Sequence, residues 1–316
     1  MTMPAIQIFK LENPDAGIDV LVKKKLKGMW SMHKAIDKVI TYSEGTTWQI
    51  AGELKQYDQV FILPNSFRSA LIPFLARIPK RTAVSGQLRT ILINDKIKLS
   101  TKAKDGHQAL EYMEIFGNAY NGELPMPQIT VNKKTGIELL TSLSNETFAD
   151  KRILAILPGA AYGPAKMWPT EHFIQVANKL IEKQLIDKVI VLGTDSEIDI
   201  CEQVHKHIAA STNLAGKTNF DQLTSILSLA TLTIANDSGG MHLATACGTK
   251  VIGIFGITDP YKTGPVGPYS KFITNDDYPH SRDIPRESEQ ATECLKSISP
   301  KIVTEQAELL LQHEDK

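Results

Sequence analysis

The feature that most constrains this chain is the regular alternation of short apolar runs with stretches of helical periodicity. An apolar run of about four to eight residues bounded by turn signals reads as a buried strand. Strands that alternate with helices fold into parallel α/β sheets, because each helix carries the chain back to begin the next strand in the same direction. In the first half, residues 18–22, 38–42, 59–63 and 81–84 read as strands. Helices are predicted over residues 1–11, 48–56 and 66–76, the last ended by the turn at Pro79. The second half is clearer, with strands at 152–157, 188–192, 232–235 and 250–255 and helices at 170–183, 196–209, 221–230 and 239–247. Residues 301–313 read as a terminal helix with an apolar face, and 264–285, polar and rich in turn residues, as a long loop. Between the halves, 123–134 holds two prolines and little periodicity, which makes it the interdomain linker.

With 316 residues the chain can bury two cores of ordinary domain size. Thirty-five basic residues balance thirty-five acidic ones, so no global field draws it to nucleic acid or to an anionic surface. Any such partner would need a local patch. The three cysteines, Cys201, Cys247 and Cys294, are far apart and form no CxxC pair, which argues against a structural zinc site and a disulfide framework. Reduced thiols in a cytosolic protein are the simpler reading. No stretch approaches the roughly 20 apolar residues needed to span a bilayer. The first ten residues lack the basic-then-apolar pattern of a signal peptide.

In an open parallel sheet, ligands bind beyond the carboxyl ends of strands, where loops lead into helix N-termini. Three loops of the second half fit that description. The first reads Pro158-Gly159-Ala160-Ala161-Tyr162-Gly163-Pro164-Ala165-Lys166-Met167-Trp168-Pro169. Its small residues let backbone N–H groups approach a phosphate, and Lys166 supplies a point charge. No GxxxxGK[ST] sequence occurs, so it is not a Walker loop. The second, Gly193-Thr194-Asp195-Ser196-Glu197, offers a carboxylate to ribose hydroxyls. In the third, Asn236-Asp237-Ser238-Gly239-Gly240-Met241-His242, Asp237 or Ser238 can cap a helix whose first N–H groups form an anion nest. Each residue also has an ordinary structural use: the glycines as turn punctuation, Asp237 as an N-cap alone, Lys166 as a solvated lysine, His242 as a packed, hydrogen-bonded side chain. Three such loops at successive strand ends point to a nucleotide or phosphate site.

The same residues carry a resemblance. Leu157 to Pro169, Asn213-Leu214-Ala215-Gly216-Lys217-Thr218, the Asn236 to His242 loop, Phe255-Gly256-Ile257-Thr258-Asp259-Pro260 and Leu63-Pro64-Asn65-Ser66-Phe67-Arg68-Ser69-Ala70 all match one family's motifs in order. The chain thereby resembles the ADP-heptose–lipopolysaccharide heptosyltransferases, glycosyltransferase family 9, and most of all the heptosyltransferase II members. The resemblance implies an α/β fold of the GT-B type, with two Rossmann-like doubly wound domains facing each other across a cleft. Residues 1–125 would be the acceptor-side domain, 126–300 the domain that binds ADP-heptose, and 301–316 a C-terminal helix packing back toward the first domain.

The implied reaction is inverting transfer of L-glycero-D-manno-heptose from ADP-heptose to an inner-core heptose of the lipid A–linked core oligosaccharide. It needs no obligatory metal and no other cofactor, in keeping with the lack of a DxD motif in the donor loops. The implied donor-binding residues are Gly159, Ala160, Lys166, Glu197, Lys217, Thr218, Asp237, Ser238, Gly239 and His242. Lys166 would stabilise the charge that builds on the leaving ADP, the electrostatic effect that usually dominates such steps. Asn65, Ser66 and Arg68 would face the acceptor, and Arg68, Lys80, Arg81 and Arg89 would form a basic surface for a phosphorylated glycolipid or an ordinary solvated face. An enzyme of this kind is cytoplasmic, meets the inner membrane peripherally through its lipid-linked acceptor, and binds no nucleic acid.

The chain departs from the family's pattern at its start. The family opens with an apolar strand and a Gly-Asp loop whose aspartate serves as general base. Here residues 1–11 already read as the first helix, and that strand and loop have no counterpart. In a doubly wound sheet the first strand is central, so the first domain is expected to be truncated, with an unpaired edge on its 18–22 strand. The expectation is that the protein's true start lies upstream of Met1, with a weakened natural remnant as the alternative. No general base is assigned within the chain, since Asp15 and Asp19 lie at the far end of the helix and within the next strand. Of the cysteines that many relatives carry before the final helix, only Cys294 remains, which argues against a metal there. Two further readings stay open: a GT-B transferase using another nucleotide sugar, and a nucleotide-sugar-binding remnant that is catalytically crippled.

Overall fold

The computed structural model describes residues 1–43, 45–86, 88–118, 123–144, 147–148, 150–160, 163, 166–281, 284 and 288–312. Its contacts divide the chain into two compact units, Met1–Pro125 and Met126–Lys316.

The first unit begins with helix α1 (Met3–Glu12), followed by β1 (Asp19–Lys23), α2 (Lys27–Ser31), β2 (Lys38–Tyr42), α3 (Thr47–Glu53) and β3 (Gln59–Phe61). Then come α4 (Phe67–Leu75), β4 (Lys80–Val84), β5 (Asp95–Ile97), α5 (Thr101–Asp105) and α6 (Gln108–Phe116). Pro4 opens α1, where its missing N–H costs nothing. The buried face of that helix carries Met3, Ala5 and Ile6, and Phe9 meets Phe61 edge-on at 5.2 Å and Phe116 at 5.5 Å. Asn118 Nδ2 donates to the Ala5 carbonyl at 2.6 Å and ties the end of α6 to α1. The strands form two parallel sheets, β1–β2 and β3–β4–β5. Among the described residues β1 and β3 each keep one unpaired edge, and neither contains a fully buried residue. The short elements β5 and α5 do not stand out in the sequence, since runs of three to five residues carry too few repeats to show a period.

The second unit contains α7 (Lys133–Ser144), β6 (Ile153–Leu157), α8 (Thr170–Glu182), β7 (Lys188–Val191), α9 (Ile198–His205), β8 (Ser211–Asn213) and α10 (Phe220–Leu229). It continues with β9 (Leu232–Asn236), α11 (Gly239–Ala246), β10 (Val251–Ile254), α12 (Pro260–Thr263), β11 (Ser270–Ile273), α13 (Glu289–Ser297) and α14 (Pro300–Gln312). One six-stranded parallel sheet runs β11–β10–β9–β6–β7–β8. The central strands β6 and β9 are buried along all five of their residues, as their unbroken apolar runs require when helices cover both faces. Helix α8 turns Phe173, Val176, Ala177 and Leu180 inward, the i, i+3, i+4, i+7 stripe of an amphipathic helix.

One expectation is corrected here. The stretch 264–285 is not loop throughout, because Ser270–Ile273 pairs with β10 as the edge strand of the sheet. Val303, Ala307 and Leu310 of α14 enter the second unit's own core, against α8. Helix α7 starts inside the expected linker and lies on α10, where the Gly136 N–H donates to Ser225 Oγ at 2.5 Å.

Candidate active site

In the second sheet the chain leaves β6 toward β7 and β8 on one side and leaves β9 toward β10 and β11 on the other. The switch point therefore lies between β6 and β9, and the loops at their carboxyl ends are where such a sheet binds ligands. Asn236, the last residue of β9, joins these two loops. Its Nδ2 donates to the Pro158 carbonyl at 2.6 Å, and its Oδ1 accepts the Trp168 backbone N–H at 3.0 Å. Asn236 is fully buried, so both bonds form away from competing water. Trp168, also fully buried, donates its indole N–H to the Ile298 carbonyl at 3.0 Å and stands edge-on to Phe173. The far end of the loop is thus anchored in the core.

Between the two anchors, the Lys166 N–H donates to the Gly163 carbonyl at 3.1 Å, and Lys166 Nζ forms an ion pair with Asp237 Oδ2. The Lys166 side chain is 18% exposed and that of Asp237 9%, so the charges meet largely out of water, where their interaction is strong. Ala161, Tyr162, Pro164 and Ala165 of the first loop lie outside the described residues.

Ser238 is the N-cap residue of α11, but its hydroxyl makes no capping bond, and the Asp237 carboxylate is turned to Lys166 instead. The first N–H groups of α11, from Gly239 onward, have no intrahelical acceptor and carry the positive end of the helix dipole. A Cβ on Gly240 would stand 2.3 Å from Leu157 Cδ2, so glycine is what lets the helix start close against β6. His242 lies in the first turn, half-buried.

The second loop closes on the first from β7. Glu197 Oε2 accepts the Thr194 N–H at 2.7 Å and the Thr194 hydroxyl at 2.8 Å, forming a capping box. The Thr-x-x-Glu spacing that specifies this box is legible in the sequence, although the sequence reading used only the carboxylate. Glu197 also lies against Gly159, where a Cβ would come within 2.2 Å of its Cδ. Gly159 and Glu197 are therefore brought together by the fold. Ala160 is buried beside them. The Gly216 N–H donates to the Gly193 carbonyl at 3.0 Å, which joins the loop after β8 to this edge. Lys217, exposed, donates from Nζ to the Asn213 carbonyl at 3.2 Å, with Thr218 half-buried beside it. Among the described residues, no group of three or more His, Cys, Asp or Glu side chains could hold a metal ion.

Asn65, Ser66 and Arg68 lie together beyond β3 in the first unit. Ser66 caps α4, its Oγ accepting the Ser69 N–H at 3.2 Å. Arg68 donates to the Ser43 carbonyl at 3.3 Å with its guanidinium 5.8 Å from the centre of the Tyr42 ring. The expected basic surface is corrected. Arg89 is 1% exposed and donates to Asn65 Oδ1 at 2.7 Å and to the Pro64 and Val84 carbonyls, and burial pushes its pKa down. Arg81 is spent on the Leu92 and Ile78 carbonyls, and Lys80 faces Asp95 at 3.5 Å. The Arg89 guanidinium is taken up by carbonyls just past β3 and at the end of β4, groups that no strand partner satisfies there.

A family model described as glycosyltransferase family 9 (heptosyltransferase) matches residues 49–293, well over half of the chain. The chain belongs to glycosyltransferase family 9. This family-9 chain is 30% identical to lipooligosaccharide heptosyltransferase 2 of Haemophilus influenzae, across 86% of its own length and 84% of that protein's. It is 28% identical to lipopolysaccharide heptosyltransferase 2 of Escherichia coli, across 100% of its length and 95% of the relative's. The solved structure of the E. coli ADP-heptose lipopolysaccharide heptosyltransferase II superposes with a TM-score of 0.83 at 25% identity, covering 98% of this chain and 94% of that one. The family-9 fold here is therefore GT-B, and the chain is a glycosyltransferase. Among the described residues no helix is long and apolar enough to cross a membrane.

Proposed function

We propose that the chain transfers L-glycero-D-manno-heptose from ADP-heptose to an inner-core heptose of lipopolysaccharide, with inversion and without an obligatory metal. The observation that carries this reading is the cation of Lys166, held beside Asp237 at the switch point and next to the N-terminus of α11. Breaking the sugar–phosphate bond leaves negative charge on ADP, and a fixed ammonium with oriented N–H groups lowers the energy of that charge as it develops. Residues 126–300 would hold the donor. Gly159 and Ala160 offer backbone close to a diphosphate, and Glu197 offers its second oxygen to ribose hydroxyls. Lys217 and Thr218 border the adenine, while Asp237, Ser238, Gly239 and His242 contact diphosphate or heptose. In residues 1–125, Asn65, Ser66 and Arg68 face the acceptor, a lipid A–linked core oligosaccharide. The protein works in the cytoplasm, with peripheral contact to the inner membrane.

The deciding experiment offers ADP-heptose and a heptose-bearing core acceptor and follows product by mass spectrometry. Heptosylated product, undiminished by a chelator and absent with UDP- or GDP-sugars, is the expected result. ADP binding without product would replace the reading with that of a nucleotide-sugar binder, and transfer from another nucleotide sugar would replace the donor.

A further inference from the structure

The first unit carries a surface that includes none of the residues assigned above to donor or acceptor. Trp48, Ala51 and Gly52 share one face of α3, and Lys55 follows on the same side just past the end of that helix. With Leu75, Ala76 and Arg77 at the end of α4 they line a surface cavity of about 530 Å³. Trp48 is 76% exposed, whereas Trp30 and Trp168 are buried. An indole left in water forfeits the burial that large apolar side chains normally gain, and such exposure beside a concavity marks a contact surface. Lys55 and Arg77 are both exposed, and neither has an ion-pair partner among the described residues. Glu53, the carboxylate nearest to Lys55 along the chain, lies about 140° around the helix from Trp48 at 3.6 residues per turn. Phe74, next to Leu75, is 42% exposed, with the Arg81 guanidinium 5.6 Å from its ring centre.

An exposed indole flanked by exposed cations is the composition of a membrane-facing surface. Tryptophan settles at the headgroup level, where its ring is shielded and its N–H still finds an acceptor, and Lys and Arg draw anionic lipid phosphates. The chain has no net charge, so attraction to an anionic surface must come from a local group such as this one. We propose that the α3–α4 surface rests on an anionic phospholipid bilayer, with Trp48 in the headgroup layer and Lys55 and Arg77 on lipid phosphates. This deepens the peripheral membrane contact proposed above and rests on it for its purpose, although the contact is measurable without donor or acceptor.

The test uses the full chain with vesicles of phosphatidylethanolamine and phosphatidylglycerol, and with phosphatidylcholine vesicles as the neutral control. The protein should sediment with the first and not the second. Its tryptophan emission should shift to the blue on binding, a direct report on Trp48 because the other two indoles are already buried. Gly52→Glu places a carboxylate in the cavity, and nothing lies within 4 Å of where its Cβ would stand, so the variant should fold and lose binding. Gly52→Ala should bind like the parent. Lys55→Gln and Arg77→Asn should each raise the half-saturating lipid concentration about fivefold; asparagine tolerates the positive φ of 58° at position 77. Equal binding to neutral vesicles, no sedimentation at all, unshifted emission from bound protein, or a Gly52→Glu variant that binds like the parent would each overturn the proposal. Transfer to a deacylated, water-soluble acceptor should be unchanged in Gly52→Glu. Vesicle binding without any heptosyl transfer would sink the functional reading and leave this surface standing.

Discussion

At the scale of single residues the site is a set of substitutions made for one another. Lys166 and Asp237 exchange hydration for each other, and Asn236 satisfies one loop carbonyl and one loop N–H that no strand could reach. Lys166→Ala should lower kcat/KM for ADP-heptose by about a hundred- to a thousandfold, the usual cost of removing one donor to developing charge. Lys166→Arg, which keeps the charge, should recover part of that loss, and steady-state rates at varied ADP-heptose would measure both. Unchanged kinetics in the alanine variant would remove Lys166 from the site. Asn236→Ala leaves the Pro158 carbonyl and the Trp168 N–H unpaired in the core, so denaturant melts should show a loss of about 1–3 kcal/mol. Because the same side chain sets the loop that carries Lys166, its KM for donor should rise as well. A variant that loses stability with normal donor affinity would make Asn236 purely structural.

At the scale of elements, strand ends are tied by short polar links rather than by long-range charge. Arg152, just before β6, forms an ion pair with Asp187, just before β7, at 2.7 Å, and its backbone N–H donates to the same carboxylate at 2.8 Å. The guanidinium and that N–H hold the Asp187 pKa down to about 2, from an ordinary 3.8. A carboxylate depressed in the folded state stabilises fully above its unfolded pKa, and that contribution is lost as pH falls through the folded one. The stability difference between the parent and Asp187→Asn should therefore be constant at neutral pH and shrink between about pH 4 and about pH 2. Thermal melts across that interval would check it, and a difference that persists at pH 2 would mean the link is not one of charge. The strands not legible in the sequence are the short ones at sheet edges, β5, β8 and β11, whose three or four residues are strands only because a neighbour pairs with them.

At the scale of the whole molecule, each unit builds its own core, and the three thiols follow from that. Burial pushes Cys201 and Cys247 up to about 12 and Cys294 up to about 11, with Glu197 adding to the effect at Cys201. At pH 8 almost none is thiolate, the only reactive form. Native protein treated with iodoacetamide should remain unmodified by mass spectrometry over times that fully alkylate the denatured chain. Rapid labelling of any one cysteine in the native state would show that its surroundings open locally.

What the sequence determined by itself was the kind of protein. The alternation of apolar runs and helical patterns dictated parallel α/β sheets, since those periods bury the right faces in no other arrangement. The loops at 158–169, 193–197 and 236–242 were readable as a site because glycines, a lysine and carboxylates after strands have a chemistry that does not depend on distant contacts. The tertiary structure decided which residues serve which partner. Arg89 looked like surface charge and became a buried donor to three acceptors. Glu197 was readable as a carboxylate, but only the approach of β6 to β7 set it against Gly159. The face of α14 is apolar in any context, and only packing directed it onto α8. A residue's type sets what it can bond to, and the fold alone sets what comes within reach.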